Sequence, residues 1–290
     1  MSRTPPWTPS RPTLTTVSDT PHTRTSHSTS SGIQSAVQYQ NTVVAYLHDE
    51  LSGSIQRNNA AFFDHLTEHI NSNKTLTNHI IRTVSLELHG WPAEKSEERD
   101  YYAPWTSMLN QFCSIFHTQS FTPLRNISFY PYDRNVQHKQ SEVKLKPDVL
   151  GLPSPVLNHK DGFRVAWEDP FVVGEAKFGD FDRLIHQTAS YVRAIFSHQR
   201  DRLWVYAVML PYPNTMIFAR YDRSGVIISP EYNVLLREGR VNIAKVLCAL
   251  MTLKDTEFGI DRTISGNDII VGNVVFCIVE TLCYRKCVQG

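Results

Sequence analysis

Net charge, cysteine and long apolar runs are the features that this sequence has little of. Its 290 residues include 29 Lys plus Arg and 28 Asp plus Glu, which leaves a formal net charge of +1. No global basic field attracts a polyanion, so a nucleic-acid partner would depend on a local patch. The five cysteines show no CxxC spacing, and without a secretory apolar segment they indicate an intracellular protein, cytoplasmic or nuclear. The longest apolar stretch, 271–284, contains Asn273 and Glu280, so we expect neither a transmembrane helix nor a membrane partner.

Composition divides the chain into three parts. Residues 1–36 are rich in Ser, Thr and Pro and cannot bury enough apolar surface to offset their ordering entropy, which predicts a disordered tail. Scattered Arg and few acidic residues leave an organellar transit peptide as the alternative. Residues 37–72 space their apolar side chains as a helical region does, and residues 73–290 are expected to form one α/β domain.

Periodicity places helices and strands along that domain. A helix is predicted from about Ser96, with a buried stripe that runs from Tyr102 to Ile115. The segment Tyr221–Gly225, YDRSG, predicts a hairpin turn between two apolar runs. Because predicted strands and helices are interspersed, the fold class is α/β. Strands are predicted within 124–134, 144–153, 163–178, 202–211 and 215–230, and further helices within 182–200 and 242–253.

Two acidic residues and a lysine stand where predicted strands meet polar sequence. Asp148 lies in KPDV, and the apolar run 171–174 leads into Glu175 and Lys177. Residues two apart on a strand share a face, so Glu175 and Lys177 project together and Asp148 can meet them from a neighbouring strand. Two carboxylates and the Ala176 carbonyl are the hard oxygen ligands that Mg²⁺ or Mn²⁺ takes. A lysine beside such an ion can orient or activate water, which is the chemistry of phosphodiester hydrolysis.

The helix that follows carries Gln187 and Tyr191, which are four residues apart and share a face. A glutamine in this position can hydrogen-bond Lys177 or a backbone phosphate. PD at Asp148, ExK at Glu175 and Lys177, and then QxxxY together resemble the PD-(D/E)XK nuclease superfamily, and the QxxxY element resembles its RecB-type branch. The resemblance implies a central mixed sheet flanked by helices. It also implies a metal held by Asp148 and Glu175, with Lys177 catalytic and with Gln187 and Tyr191 supporting it.

Members of that superfamily often add an acidic residue from the preceding helix. Glu98 would be that third metal ligand here, with Glu97 as the competitor. A second ExK, Glu142 to Lys144, is interpreted as a solvated strand edge. Two readings compete with a metal site: an ordinary ion pair at a strand end, and a nuclease-like fold whose site is dead or repurposed.

Longer phrases resemble the N-terminal region of fungal-type protein kinases, in which a PD-(D/E)XK-like region precedes a kinase domain. They are EERDYYAPWTSMLN, KPDV, YVRAIFSHQRDRLWVYAV, YDRSGVIIS and EFGIDRTI, and they cover the chain from about Glu97 onward. No Gly-rich loop, strand lysine, HRD loop or DFG motif accompanies them. The resemblance therefore implies a truncated member that ends near Gly290, where a kinase domain would begin, without kinase activity of its own. It leaves three interpretations: a Mg²⁺-dependent nuclease, a non-catalytic regulatory module that binds a protein or nucleic acid, and a fragment without independent function.

Three other patterns favour ordinary structural roles. His65 and His69 are four residues apart on a predicted helix, but no third ligand lies at zinc spacing. Cys283 and Cys287 are interpreted as free thiols. The basic stretch from Arg134 to Lys146 could follow a phosphate backbone, and a solvated loop is the favoured alternative.

Overall fold

A computed structural model describes residues 47–84, 88, 90–117, 122–132, 134–136, 145–154, 164–266, 268–272 and 274–277. All of these residues belong to one compact unit. The tail predicted over residues 1–36 lies outside the described residues. No helix among the described residues is long and apolar enough to span a bilayer.

Helices and strands are interspersed along the chain, as an α/β fold requires. Short 3₁₀ turns at Glu98–Tyr101 and Ile115–His117 bracket the central helix of the first half. The helices are α1 (47–51), α2 (Ala60–Leu66), α3 (Glu68–Ser72), α4 (Lys74–Thr83), α5 (Tyr102–Ser114), α6 (Phe181–His198), α7 (Arg237–Thr252) and α8 (Asp255–Phe258). The strands are β1 (Ile55–Gln56), β2 (Ile127–Pro131), β3 (Val149–Pro153), β4 (Val172–Ala176), β5 (Trp204–Tyr212), β6 (Thr215–Asp222), β7 (Val226–Ile228), β8 (Tyr232–Asn233), β9 (Ile264–Ser265), β10 (Asp268–Val271) and β11 (Val274–Cys277).

A mixed eight-stranded sheet forms the centre of the fold. Its strand order is β1-β7-β6-β5-β4-β3-β2, and β8 pairs with β6. The pairs β1/β7 and β4/β5 are parallel, and the other pairs are antiparallel. Strands β9 to β11 form a separate three-stranded sheet. Because β4 and β5 are parallel neighbours, α6 must cross over between them, and this crossover brings the start of α6 close to the end of β4.

Each face of the main sheet buries a layer of helices. Side chains alternate along the strands, so Val172 packs into the layer that holds α5 and α7, and Val173 packs into the layer that holds α6. Helix α6 begins at its N-cap Asp180, whose carboxylate accepts the Arg183 main-chain N–H at 3.0 Å. Apolar residues of α6, such as Leu184, then face the sheet. This arrangement confirms the predicted mixed sheet flanked by helices.

The predicted helical region 37–72 contains a strand that its sequence did not indicate. Helices α1, α2 and α3 lie within that region, but β1 separates α1 from α2 and pairs in parallel with β7. A two-residue strand is too short to show a period of two, which is why the pattern missed it. Residues 37–46 lie outside the described residues.

Two predicted local features have clear outcomes. The hairpin turn at Tyr221–Gly225 is confirmed, because β6 and β7 pair in antiparallel register and the Asp222 carboxylate accepts the main-chain N–H groups of Ser224 and Gly225. The helix predicted from Ser96 instead has its cap at Glu97. The Glu97 and Asp100 side chains there accept each other's main-chain N–H groups in a capping box.

Candidate functional site

The start of β3 and the end of β4 place two carboxylates side by side. Val149 of β3 pairs with Gly174 of β4, and one step further along the same register Asp148 lies opposite Glu175. Both residues are buried, with relative exposures of 8% for Asp148 and 2% for Glu175. The structure therefore brings together the two acidic residues that the sequence singled out.

Main-chain groups hold each carboxylate against the opposite strand. The Ala176 N–H donates to Asp148 Oδ2 at 2.9 Å. The Asp148 N–H lies 3.4 Å from Glu175 Oε2, a long hydrogen bond in the reverse direction. Because both contacts use the backbone, the orientation of the two carboxylates is set by the register of β3 and β4.

Two tyrosine hydroxyls complete the surroundings of the pair. Burial, followed by the nearby Asp148 carboxylate, raises the pKa of Tyr102, the first residue of α5, above its usual range. Tyr191 of α6 lies beside Glu175 and donates to the Lys146 carbonyl at 3.0 Å. Because a phenol has one proton and Tyr191 gives it to the Lys146 carbonyl, the Tyr191 hydroxyl does not also donate to Glu175.

The predicted supporting residue Gln187 contacts Tyr191. Its Nε2 atom donates to the Tyr191 hydroxyl at 3.0 Å, as the four-residue spacing on α6 allows. The sequence analysis expected Gln187 to bond Lys177 or a phosphate, and among the described residues its side-chain hydrogen bond goes to Tyr191 instead. Gln187 thus fixes the Tyr191 hydroxyl, which lies beside Glu175.

Lys177 lies just beyond the end of β4 and forms an ion pair with Glu98. Its Nζ atom is 3.1 Å from both carboxylate oxygens of Glu98, and the Phe178 N–H donates to the same carboxylate at 3.3 Å. Glu97 projects elsewhere, because its exposed side chain pairs with Arg99 at 2.7 Å. Of the two candidate acidic residues, Glu98 is therefore the one beside Lys177.

Burial shifts the proton equilibria of the whole group. Burial raises the pKa of Asp148 above its usual range, although hydrogen bonds from Tyr102 and Ala176 oppose the shift. Burial, followed by repulsion from Asp148, raises the pKa of Glu175 well above its usual range. Among the described residues no Lys, Arg or His nitrogen lies within 4.0 Å of either carboxylate. The pair therefore lacks a directly bound cation to compensate its negative charge.

Three oxygen atoms at one corner of the site are of the kind that could contact a small divalent cation. Continuing the β3–β4 register places Pro147 opposite Ala176, and proline has no N–H to donate to the Ala176 carbonyl. Two carboxylates and this carbonyl are oxygen ligands of the type that Mg²⁺ and Mn²⁺ bind. Within the described ranges, no group of three or more His, Cys, Asp or Glu residues is arranged to hold a metal. Glu98, the predicted third ligand, is bound to Lys177 and Phe178.

The buried residue at the start of α5 is Tyr101 and not Tyr102. The predicted stripe began at Tyr102, whereas Tyr102 is only partly buried and the Asp148 carboxylate acts on the pKa of its hydroxyl. Tyr101, which the stripe did not include, is fully buried. Tyr101 belongs to a 3₁₀ turn, whose side-chain directions differ from those of the α-helix that the spacing assumed.

The other sequence patterns do not converge on a second site. His65 contacts Glu68 at 3.2 Å and His69 contacts Thr252 at 2.8 Å, so the two imidazoles have separate partners. The second ExK and the pair Cys283 and Cys287 lie outside the described residues. Much of the basic stretch lies outside them as well.

One comparison with known proteins gives a match, and it concerns the part of the chain that carries the carboxylate pair. The family model described as fungal protein kinase matches residues 146–289. The match supports the family relationship. Asp148, Glu175, Lys177, Gln187 and Tyr191 fall inside the matched range. No curated protein and no solved structure matches the chain.

Proposed function

We propose that this chain is a Mg²⁺- or Mn²⁺-dependent phosphodiester hydrolase with a PD-(D/E)XK-type core. The observation that carries the proposal is the buried pair of Asp148 and Glu175, which has no bound cationic side chain among the described residues. Isolated buried charge is costly, and in proteins it is paired or coordinates a metal. The family model described as fungal protein kinase covers Asp148 and Glu175, so the proposed site lies in the part of the chain that this family model matches.

Each residue has a distinct role in the proposed reaction. Asp148, Glu175 and the Ala176 carbonyl would hold the metal. A metal ion in this position would supply Lewis-acid activation of a phosphoryl oxygen and of water. Lys177 orients the attacking water and stabilises negative charge on the phosphate. Tyr191, which hydrogen bonds to Gln187 and to the Lys146 carbonyl fix in place, lies beside Glu175 and limits its movement.

Calorimetric titration with Mn²⁺ tests the metal site directly. We expect one bound Mn²⁺ in the wild type and none in the double variant Asp148→Asn, Glu175→Gln. The matched control is Asp49→Asn with Glu68→Gln, which removes the same two charges from exposed positions and is expected to bind as the wild type does. A folded wild type that does not bind Mn²⁺ would contradict the proposal. A positive result leads to cleavage assays on labelled DNA and RNA.

A second candidate is a non-catalytic module associated with protein kinase function, which binds a protein or nucleic acid. The specific observation in its favour is the bidentate contact of Glu98 with Lys177, which occupies the lysine that hydrolysis needs. The formal net charge of only +1 also weakens the attraction of the protein for long polyanions. A protein that binds Mn²⁺ but cleaves neither DNA nor RNA would favour this candidate over the hydrolase.

A further inference from the structure

A cavity of about 480 Å³ lies between α2, α3, β8 and the first half of α7. Sites for small molecules typically have volumes of about 300–1,000 Å³, so this cavity has room for a small organic molecule. None of the residues that line it belongs to the carboxylate site around Asp148 and Glu175. Any ligand of the cavity would therefore be separate from the proposed hydrolase reaction.

Close packing of α7 on β8 fixes one wall of this cavity. Gly239, in the first turn of α7, is buried, and a Cβ there would lie 2.0 Å from the Asn233 carbonyl oxygen. On another wall, Asn71 Nδ2 donates to Thr67 Oγ1 at 3.3 Å, and Thr67 Oγ1 donates to the Phe63 carbonyl at 3.0 Å. These contacts tie α3 to α2, so the cavity is preformed.

Part of the lining is apolar and aromatic. Phe63 of α2 and Val246 of α7 are buried, and the partly buried ring of Tyr232 lies 6.3 Å from the Phe218 ring. Leu236, which also lines the cavity, is 60% exposed and so lies at its rim. An alkyl chain can pack against such a lining, and an aromatic ring face also attracts a cation.

The charged part of the lining has three carboxylates and one ammonium. The carboxylates belong to Asp64, Glu231 and Glu238, and the ammonium belongs to Lys245. Among the described residues, no Lys, Arg or His nitrogen lies within 4.0 Å of any of the three carboxylates. Burial, followed by the charge of Asp64, raises the pKa of Tyr232 to about 12, so its hydroxyl stays neutral. The cavity therefore combines excess negative charge with an apolar lining.

We propose that this cavity binds an organic cation, a guanidinium or ammonium group on a short alkyl stem. The carboxylates pair with the charged group, and Phe63, Val246 and the Tyr232 ring contact the stem. A bare metal ion fits less well, because within the described ranges no three His, Cys, Asp or Glu side chains are arranged to hold one. A free alkylamine or alkylguanidine and a basic side chain of a partner protein share this chemistry, and the experiment distinguishes them.

The first test is an NMR titration with agmatine, a butylamine that carries a guanidinium group. We expect one agmatine per wild-type chain and about tenfold weaker binding in Asp64→Asn with Glu231→Gln, because two partly solvated ion pairs are lost. Glu238 is kept, since an acidic residue in the first turn stabilises α7. The matched control, Asp49→Asn with Glu68→Gln, removes the same charge from exposed positions outside the cavity. Equal weakening in both double variants would overturn the proposal.

A second variant tests the cavity without changing its charge. Asn242 is partly buried in the lining, and Asn242→Tyr fills the space while every carboxylate remains. We expect this variant to lose agmatine binding, and urea unfolding verifies that it is folded. Wild-type affinity in the folded variant would show that agmatine binds to surface charge and would overturn the proposal. If the variant does not fold, the comparison of the two double variants decides.

Two further probes identify the chemistry and the source of the cation. We expect 4-guanidinobutyrate, which has a carboxylate in place of the agmatine ammonium, to bind more weakly, and equal binding would overturn the role of the carboxylates. If a partner protein supplies the cation, acetyl-leucyl-arginyl-leucinamide should bind about tenfold more tightly than agmatine, because its leucines cover the exposed Leu235 and Leu236. Tighter binding of agmatine would identify a free small cation. A folded wild type that binds neither probe at millimolar concentration would overturn the proposal.

Discussion

Asp148 and Glu175 lie opposite each other on β3 and β4, and main-chain N–H groups link the two strands to the two carboxylates in both directions. The Ala176 N–H donates to Asp148 at 2.9 Å, and the Asp148 N–H lies 3.4 Å from Glu175. The backbone of two adjacent strands therefore fixes two negative groups close together in a buried position. Such preorganisation suits a ligand that binds both groups at once, and it makes the free protein sensitive to pH.

The raised pKa values of Asp148 and Glu175 should make the unfolding free energy of the protein depend on pH. Asp148 and Glu175 have pKa values above their ordinary 3.8 and 4.5 in the folded protein, chiefly because of burial. The folded state then retains protons that the unfolded chain has released, so the contribution of the pair to unfolding free energy falls as pH rises from about 4. Urea unfolding across pH should show that Asp148→Asn, Glu175→Gln gains stability relative to wild type as pH rises.

Asp255 provides a control of opposite sign. The Arg262 guanidinium holds the pKa of Asp255 below its usual range, so its stabilising contribution is present at neutral pH and is lost as pH falls. Asp255→Asn should therefore lose stability relative to wild type at neutral pH and approach it in acid. If the difference in unfolding free energy between wild type and the Asp148→Asn, Glu175→Gln variant does not change with pH, the two carboxyl groups have ordinary pKa values in the folded protein.

Lys177 should separate metal binding from hydrolysis. Lys177→Met is expected to retain Mn²⁺ affinity, because its ammonium is bound to Glu98 and is not among the oxygen ligands proposed for the metal. Phosphodiester cleavage should fall by about 100-fold or more, the usual contribution of a group that activates water. The measurement is a paired calorimetric titration and cleavage time course. Equal loss of binding and cleavage would mean that Lys177 supports the site structurally.

Glu98→Gln removes the partner of Lys177 and measures what their ion pair contributes to stability. The Glu98–Lys177 pair is partly solvated, with side-chain exposures of 28% and 26%, so its loss should cost less than about 1 kcal/mol of unfolding free energy. Urea unfolding measures this cost. A loss of several kcal/mol would show that the 3₁₀ turn depends on the ion pair for its fold.

Gly174 is needed where β4 passes under α5, next to Glu175. A Cβ at this position would lie 2.9 Å from the Val149 Cβ and 3.2 Å from the Trp105 ring. Gly174→Ala should therefore destabilise the protein by about 1–3 kcal/mol, the usual cost of overpacking. It should also weaken Mn²⁺ binding, because Val149 must move and it adjoins Asp148. Gly151→Ala, with equally tight contacts further along β3, should cost similar stability in urea unfolding while Mn²⁺ affinity stays at the wild-type value.

Residue patterns were sufficient to predict that Asp148 and Glu175 lie together. The apolar run before Glu175 favoured a buried strand, and a proline followed by Asp148 at the start of another strand offered its neighbour. The four-residue spacing of Gln187 and Tyr191 placed both on one helical face, and the structure joins them by a hydrogen bond. These features depend on local periods, which sequence displays directly.

Features that depend on how elements pack could not be predicted in the same way. The approach of Tyr102 to Asp148 depends on where α5 crosses the sheet, and that position is set by side chains far apart in sequence. The choice of Glu98 over Glu97 depends on a 3₁₀ turn whose cap is formed by Glu97 itself. Both outcomes depend on how distant parts of the chain pack, and local sequence propensity does not predict that packing.

Arg202 provides a final test, away from the site, of how buried charge is supported in this fold. Its side chain is 2% exposed, and it donates to Gln199 at 2.6 Å and to the Phe258 carbonyl at 3.4 Å. Its guanidinium also lies 4.8 Å from the centre of the Phe258 ring. Arg202→Met fills similar volume but leaves buried acceptors without a donor, so unfolding free energy in urea should fall by roughly 2–5 kcal/mol. Arg223→Met, which removes an exposed guanidinium 5.0 Å from the Phe196 ring, should cost less than about 1 kcal/mol. Similar small losses in both variants would show that α8 and the end of α6 do not depend on the buried guanidinium.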